Sequence, residues 1–405
     1  MKLLKTVLVF FIVGLILIPI VFAEDFRDDS IRMEIREFQD IRGIHIGKAS
    51  TLKFMISQEG QFDSNIFLTA GNKKSDFISV TSPKFLLDVP FGAEERHVIQ
   101  LMYSADIGSF SDFKSQNYVN QDVRAKVNLH MPFGYFSIQN DFKDTIERAA
   151  TEFTDRVRRN EDLSQAFLGV ELNKVSYEAG LSHFLKNYHD DQFHNLNYTE
   201  DFYSATGFYQ ILPKIKALLE YDHGVLDYPN DSTRDGDYNQ VLTGFIRDLT
   251  GKTTATLKIG YQKRTYDTEG HMGFEGLVSN AEINTALSER TTLGFNFTST
   301  AVESIDSVNN YYDMNSFSAN LTQKLIGDFS LLFSTQYERR NYPEVDSTFN
   351  VKRRDSVFTE NASLQYNFKD RIKMNLGYKY TEDISNLDLQ DYNDNLVFLR
   401  FDFLI

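Results

Sequence analysis

The chain has 405 residues, and its 57 acidic and 42 basic side chains give a net charge of −15. This acidic balance argues against nucleic-acid partners, which need clustered Lys and Arg, and the absence of cysteine excludes disulfides and thiolate metal sites. The 21 Tyr and 35 Phe, against 7 Pro and no Trp, are typical of β-strands, although the mean hydropathy is negative. These features together predict an all-β chain whose apolar side chains face lipid and whose polar side chains face water.

The first 23 residues have the pattern of a secretory signal peptide. Two lysines precede an apolar run from Val7 to Phe22, and Ala23 supplies the small residue before the predicted cut. An uncleaved membrane anchor is the alternative, because the run is about long enough to span a bilayer. Residues 24–49 are charged and weakly patterned, and we expect them to form a periplasmic tail outside the main fold.

From residue 50 to residue 405, apolar and polar side chains alternate in segments that are bounded by turn residues. Eighteen such segments can be counted, and sixteen is the alternative number. The predicted strands are 50–57, 76–89, 98–107, 118–130, 134–144, 163–173, 174–185, 199–211, 214–226, 238–249, 253–265, 274–287, 291–302, 314–325, 329–340, 355–368, 371–382 and 394–405.

The links between these strands alternate between short turns and long polar loops. Leu212-Pro213 and 326–328 are short links, whereas 145–162, 303–313 and 341–354 are long ones. A bacterial outer-membrane barrel has this arrangement, with its turns in the periplasm and its loops outside. We therefore predict that residues 50–405 form a transmembrane antiparallel up-and-down β-barrel, surrounded by outer-membrane lipid and lipopolysaccharide.

The alternation also assigns each side chain to lipid or to the lumen. Leu257 should face lipid and Lys258 the lumen, so we expect Leu257→Arg to impair assembly and Lys258→Glu to be tolerated. Glu360 is assigned to the lumen in the same way. Because both signs of charge occur there, the sequence predicts a wet channel; charges that pair and hold a closed barrel are the alternative. The predicted pore-lining residues are Arg124, Lys126, Lys214, Lys216, Glu220, Lys258, Glu282, Lys373 and Lys379.

The last predicted strand is rich in aromatic side chains. Leu399, Phe401 and Phe403 alternate with Arg400 and Asp402. Outer-membrane barrels commonly end on such a strand, which pairs with the first strand and is recognised by the insertion machinery. We therefore expect that machinery to be a partner of this chain.

Catalytic and metal-binding patterns are weak. Ser182, His183 and Asp190 are the nearest approach to a hydrolase triad, but adjacent strand residues point to opposite faces. His189 and His194 flank two aspartates in a polar segment. A flexible loop is a simpler interpretation of this segment than a metal site. The sequence predicts no enzyme, no metal and no cofactor.

Apolar side chains recur at helical spacing in the loop 145–162, from Ile146 to Val157. This spacing predicts a short amphipathic helix. The helix would either cap the rim of the barrel or fold into the pore as a constriction.

The segment Phe62-Asp63-Ser64-Asn65-Ile66-Phe67-Leu68-Thr69, with a Lys-Ser-Asp-Phe-Ile stretch soon after it, resembles the putative β-barrel porin family, type 2. The resemblance implies an outer-membrane porin-like protein, often associated with exopolysaccharide export, and polysaccharide export components as partners. From the residues themselves, Asp63 and Asn65 flanked by Phe62 are typical of a turn that the side chains stabilise. A ligand-binding role of the motif is the alternative.

Several functions are compatible with these observations. An 18-strand barrel is wide enough for an aqueous channel, so a porin-like channel is the first expectation, with exopolysaccharide secretion as its more specific form. A structural or adhesive barrel closed by its own loops is the second. An outer-membrane hydrolase is the third.

Overall fold

The computed structural model describes Phe38, Ile41 and residues 43–93, 96–146, 156–248, 252–268, 270–306, 308–346, 349–368, 371–387 and 390–405. The predicted signal peptide lies outside these residues. Within the described part of the chain, no helix has the length and apolar character needed to cross a membrane.

Nineteen antiparallel strands are described, and the eighteen from β2 to β19 form one closed ring. Three short 3-10 helices lie in the loops, at Lys114–Gln116, Asp191–Leu196 and Ser232–Arg234. The strands are β1 Ile44–Ile46, β2 Ser50–Asp63, β3 Asp76–Phe91, β4 His97–Phe110, β5 Tyr118–Met131, β6 Gly134–Thr145, β7 Arg159–Leu172, β8 Val175–Tyr188, β9 Tyr198–Leu212, β10 Ile215–Asp227, β11 Gly236–Asp248, β12 Thr253–Tyr266, β13 Phe274–Ala286, β14 Thr291–Glu303, β15 Tyr311–Lys324, β16 Phe329–Asp346, β17 Val351–Phe368, β18 Ile372–Ser385 and β19 Tyr392–Leu404.

The ring closes where the last strand pairs with the first. Leu396 to Leu404 of β19 pair with Asp63 to Met55 of β2. The predicted all-β, eighteen-strand antiparallel barrel is confirmed, and every barrel strand pairs with its sequence neighbours. Closure matters because an open edge within lipid would leave backbone N–H and C=O groups without partners.

Two hairpins are longer than the alternation predicted. We expected a loop at 341–354, but β16 continues to Asp346 and β17 begins at Val351. Pro343 lies within a register shift between Asn341 and Val345, so its missing N–H removes no bond from a regular ladder. The strand β2 likewise extends six residues beyond the predicted 50–57, to Asp63.

The outer surface carries two aromatic belts with aliphatic side chains between them. Phe329, Phe368 and Phe403 lie near the end with the short turns, while Tyr221, Tyr261, Tyr337 and Tyr378 lie higher on the wall, and all are about 40–50 % exposed. From Phe329 to Tyr337 the strand rises about 26 Å along its length, or about 20 Å across a bilayer at a tilt of about 40°. This spacing matches the apolar band of an outer-membrane barrel.

The residues just before the barrel are partly inside it, which corrects the expectation of a tail outside the main fold. Phe38 is fully buried and Ile41 is 5 % exposed, and both pack against the inward-facing Met55, Leu86 and Met102. These wall side chains are apolar, so covering them removes apolar surface from water. Residues 24–37 lie outside the described part of the chain.

Candidate pore and its narrowed mouth

Alternation along the strands gives the barrel an inward-facing wall that is mostly polar. The pairing of Lys258 with Glu220 shows which face is inward, because these residues lie on β12 and β10 and their side chains meet across β11. Side chains two strands apart can meet in this way on the concave face of the sheet, which is the face toward the lumen. By the same alternation, eight of the predicted pore-lining residues occupy inward positions: Arg124, Lys126, Lys216, Glu220, Lys258, Glu282, Lys373 and Lys379.

One lumen assignment is wrong, and one stays a prediction. Lys214 lies in the turn between β9 and β10 rather than on a strand, and it is exposed beside a recess that the inward-facing Glu178 and Lys216 also line. Glu360 faces outward, because the buried side chains of Asp355 and Ser363 place the odd-numbered positions of β17 inside. Glu360 pairs in register with Tyr380 at the height of the upper aromatic belt, where a charge can reach the membrane interface.

Many of the wall charges neutralise each other. Lys258 Nζ lies 2.7 Å and 3.0 Å from the two carboxylate oxygens of Glu220, which also accepts a bond from Thr206 Oγ1 at 3.1 Å. Arg124 lies 2.8 Å from Asp122 and 2.9 Å from Asp141. At these positions the structure therefore agrees better with the prediction that the wall charges pair than with the prediction of a freely hydrated wall.

At the end with the long loops, residues 304–306 and 308–310 fold inward over the lumen, and we call them the mouth loop. Ser304 and Asn309 are each 2 % exposed. Asp306 shapes the loop, because its Oδ1 accepts bonds from the backbone N–H groups of Val308 and Asn309 at 2.8 Å and 3.0 Å. This arrangement is an Asx turn, in which a side chain satisfies the backbone of the residues that follow it.

One side of the mouth loop is held by arginine and tyrosine side chains of the barrel. Arg234 donates a hydrogen bond to the Ser304 carbonyl, and Arg264 forms an ion pair with Glu303. The Tyr228 hydroxyl donates to Glu303 at 3.0 Å. Burial raises the pKa of Tyr228 well above its ordinary value, so this hydroxyl remains a donor at neutral pH.

The other side of the mouth loop is held from β16 and β17. Arg353 lies 3.6 Å from Asp306 and donates to Asp355 at 2.8 Å. Asn309 Oδ1 accepts from the backbone N–H of Glu344 at 2.8 Å. The loop is therefore fixed from both sides, and Asp306 makes both its internal turn and its contact with Arg353.

Tyrosine rings support the arginines of this mouth. The ring faces lie about 5 Å from the guanidinium groups, within the range of a cation–π contact, and this packing restricts the guanidinium groups to one orientation. The pairs are Arg264 over Tyr238 at 4.6 Å, Arg353 over Tyr342 at 4.8 Å and Arg340 over Tyr312 at 5.3 Å.

The mouth loop reaches the opposite side of the barrel. Ile305 packs against a buried cluster of Val157, Tyr188 and Leu196, which belongs to the region of β7, β8 and the loop after β8. Seven strand positions separate β7 from β14 in the eighteen-strand ring, so this contact crosses the mouth. The loop therefore lies across part of the opening.

The mouth loop has no strong signal in the sequence. Residues 303–313 are predicted as one long loop among several, and the candidate constriction is predicted in 145–162. The helix predicted in 145–162 falls mainly on residues 147–155, which lie outside the described residues, so it stays a prediction. The one sequence signal in the mouth loop is its turn-forming residues, an Asp and two Asn. Such residues occur in most loops, so they do not distinguish this one.

The family motif forms a turn that joins the first and last strands. Asp63 Oδ1 accepts the backbone N–H of Asn65 at 2.8 Å. Asn65 is fully buried, and its side chain bonds Thr69 at 2.9 Å and 3.1 Å and the carbonyl of Asn393 at 3.0 Å. Phe62 faces outward and is 49 % exposed. The geometry thus supports the turn role of Asp63 and Asn65, next to the seam of the barrel.

The hydrolase candidates do not converge. Ser182 faces inward and is 8 % exposed, whereas His183 faces outward and lies 2.7 Å from Asp201 on the next strand. Asp190 caps a 3-10 helix by accepting the N–H of Gln192. Within the described ranges, no group of three or more His, Asp or Glu side chains is arranged to hold a metal ion.

Comparison with known proteins agrees with this architecture. The chain matches the family described as putative beta-barrel porin 2 over residues 40–403. Comparison with curated proteins gives no match.

Solved structures that align with this chain include an outer-membrane protein of Pseudomonas aeruginosa. OccK1 (OpdK) of Pseudomonas aeruginosa aligns with a TM-score of 0.50 and 10 % identity over 87 % of this chain and 99 % of that chain. OccK5 (OpdH) of the same organism aligns with a TM-score of 0.47 and 12 % identity over 87 % of this chain and 98 % of that chain. OccAB4 of Acinetobacter baumannii aligns with a TM-score of 0.47 and 10 % identity over 88 % of this chain and 99 % of that chain. At this identity the similarity to OccK1 shows the fold alone. Because the family match spans nearly the whole chain and the strands close into an eighteen-strand ring, this protein belongs to the putative β-barrel porin 2 family of the bacterial outer membrane.

Proposed function

We propose that this porin-like barrel is a passive channel for small polar solutes and that the mouth loop sets its size limit. The observation that carries this proposal is the contact of Ile305 with the far side of the mouth. An eighteen-strand ring without such a loop would leave a wide aqueous opening. Solutes would therefore have to pass beside the loop, in passages narrower than the barrel.

The charge distribution supports weak selectivity between ions. The charges of Lys258 and Glu220 cancel, and Arg124 offsets one of the two carboxylates of Asp122 and Asp141, so at most one negative charge remains at these positions. Lys216 and Lys379 are exposed within the lumen, and their attraction for anions would be screened at physiological salt, where the Debye length is about 8 Å.

Exopolysaccharide secretion is the more specific function that the family resemblance suggests. A fixed loop across the mouth favours small solutes over an extended polymer. Exopolysaccharide secretion is therefore the second candidate function. A closed structural or adhesive barrel predicts no conductance. Conductance measurements therefore separate the channel from the closed barrel.

The test is single-channel recording in planar bilayers with the wild-type protein and Asp306→Ala. The substitution removes the acceptor for the backbone of the mouth loop and the partner of Arg353, so we expect a larger and noisier open current. Asp191→Ala is the matched control, because this loop aspartate is 98 % exposed. An absence of current in both the wild type and Asp306→Ala would refute the channel, and identical open currents would refute the role of the loop.

A further inference from the structure

One arc of the lumen wall carries no charge over most of its height. On β15 every inward position from Ser316 to Thr322 is Ser, Thr or Asn, and on β17 every inward position from Thr359 to Asn367 is Ser, Thr, Asn or Gln. On β14 the inward positions from Thr292 to Thr300 are Thr, Gly and Asn, and on β16 those from Ser330 to Gln336 are Ser, Leu and Gln. Glu338, the register partner of Ser316, marks the upper limit of this uncharged zone. The charged pairs described above lie on β5, β6, β10 and β12 instead.

Within this arc and the adjoining strand β13, five residues form one row perpendicular to the strands, which we call the amide row: Asn284, Gly294, Asn320, Ser334 and Asn361. Each is the register partner of the next, across β13 to β17. Asn320 is exposed, and Asn284, Ser334 and Asn361 are half-buried. The row is therefore open to solutes in the lumen.

Gly294 lets the two neighbouring carboxamides converge. A Cβ atom at this position would lie 2.5 Å and 2.6 Å from Nδ2 and Oδ1 of Asn320, and 2.8 Å from Oδ1 of Asn284. Asn284 also donates a hydrogen bond to Glu282, which orients its amide. The absent side chain thus leaves a shallow recess between two amides.

We propose that the amide row is a hydrogen-bonding subsite for uncharged polyhydroxylated solutes, that is, neutral sugars and polyols, and this inference rests on the proposed channel function. A carboxamide offers two N–H donors and a carbonyl acceptor, and a hydroxyl offers both functions. Sugar hydroxyls need donors and acceptors at close spacing, which these side chains supply across neighbouring strands about 4.8 Å apart. Glu282, beside Asn284, and Lys379, the register partner of Asn361, lie at the two ends of the row, and between them the side chains of the row are neutral.

The experiment measures the reduction of ion current by maltotriose in planar bilayers. Each neutral hydrogen bond contributes modestly, so replacement of Asn320 by Leu should raise the half-blocking concentration about threefold to tenfold. Gly294→Ala should act in the same direction by pushing the two amides apart. Neither substitution should change the current measured without sugar by more than a small fraction, because no charge is altered.

Asn128→Leu is the matched control. Asn128 also faces inward and is half-buried, but it lies on β5, on the charged side of the lumen, where it accepts a hydrogen bond from Ser137 at 2.8 Å. Its replacement should leave the maltotriose block unchanged. Equal block in all four proteins, or current without any block in the wild type, would overturn the amide row and leave the channel standing; absence of current would overturn both.

Discussion

Replacing Lys258 with Met should destabilise the barrel strongly, although the lysine faces the lumen. The side chains of Lys258 and Glu220 are 12 % and 4 % exposed, and they form a close ion pair. Removing one partner leaves a buried carboxylate without its cation, which costs about 3–5 kcal/mol. Without the lysine, Glu220 would be left beside Asp222, a fully buried carboxylate on the same strand. The expectation that Lys258→Glu is tolerated therefore no longer holds, since it would add a third carboxylate to this group.

The assay is urea unfolding in lipid vesicles, followed by circular dichroism and by the mobility of the unheated protein on gels. Lys379→Met is the matched control, because Lys379 faces inward but is exposed, and we expect a change below about 1 kcal/mol. Combining Lys258→Met with Glu220→Leu should restore most of the lost stability, since the buried charge is removed as well. If Lys258→Met and Lys379→Met lowered the stability equally, the reasoning from burial of the ion pair would be refuted.

Three further predictions concern the lipid face, the turn beside β19 and the orientation of the barrel. Leu257→Arg places a charge on the lipid face and should cost about 2–4 kcal/mol, so folded protein should be depleted from membranes, whereas Leu257→Ile should assemble normally. Asn65→Ala removes a fully buried amide from the turn beside β19 and should lower stability by about 1–3 kcal/mol in the same unfolding assay, while Ser75→Ala, at an exposed loop position, should change little. An epitope tag after Gly71, in an exposed long loop, should bind antibody on intact cells and one after Gly327, in a short turn, should not; equal labelling would contradict the orientation.

The strands and their faces could be predicted from local sequence. A strand has a period of two, so Leu257 and Lys258 are assigned to opposite faces without knowledge of any neighbour. The short and long links set the orientation, and the closed eighteen-strand ring followed from both. Boundaries were less certain where polar residues continue a strand, as at the end of β2, because pairing with two neighbours keeps such residues extended.

The assignment of Glu360 shows the limit of this local reasoning. Glu360 shares the even-numbered face of β17 with Phe358 and Leu364, so alternation places it outward, and its height on the wall decides whether a carboxylate is tolerated there. That height follows from pairing with Tyr380 near the upper belt, and the sequence of β17 alone does not contain it.

The sequence by itself determined the alternation, the turns and therefore the barrel, because these depend on residues two positions apart or on single links. The tertiary structure alone decided which groups meet across the lumen. Lys258 reaches Glu220 because the sheet curves across β11, and Ile305 reaches the cluster of Val157, Tyr188 and Leu196 because the mouth loop extends from β14 across the opening. Such contacts depend on ring curvature, register and loop direction, which are fixed when all eighteen strands close together.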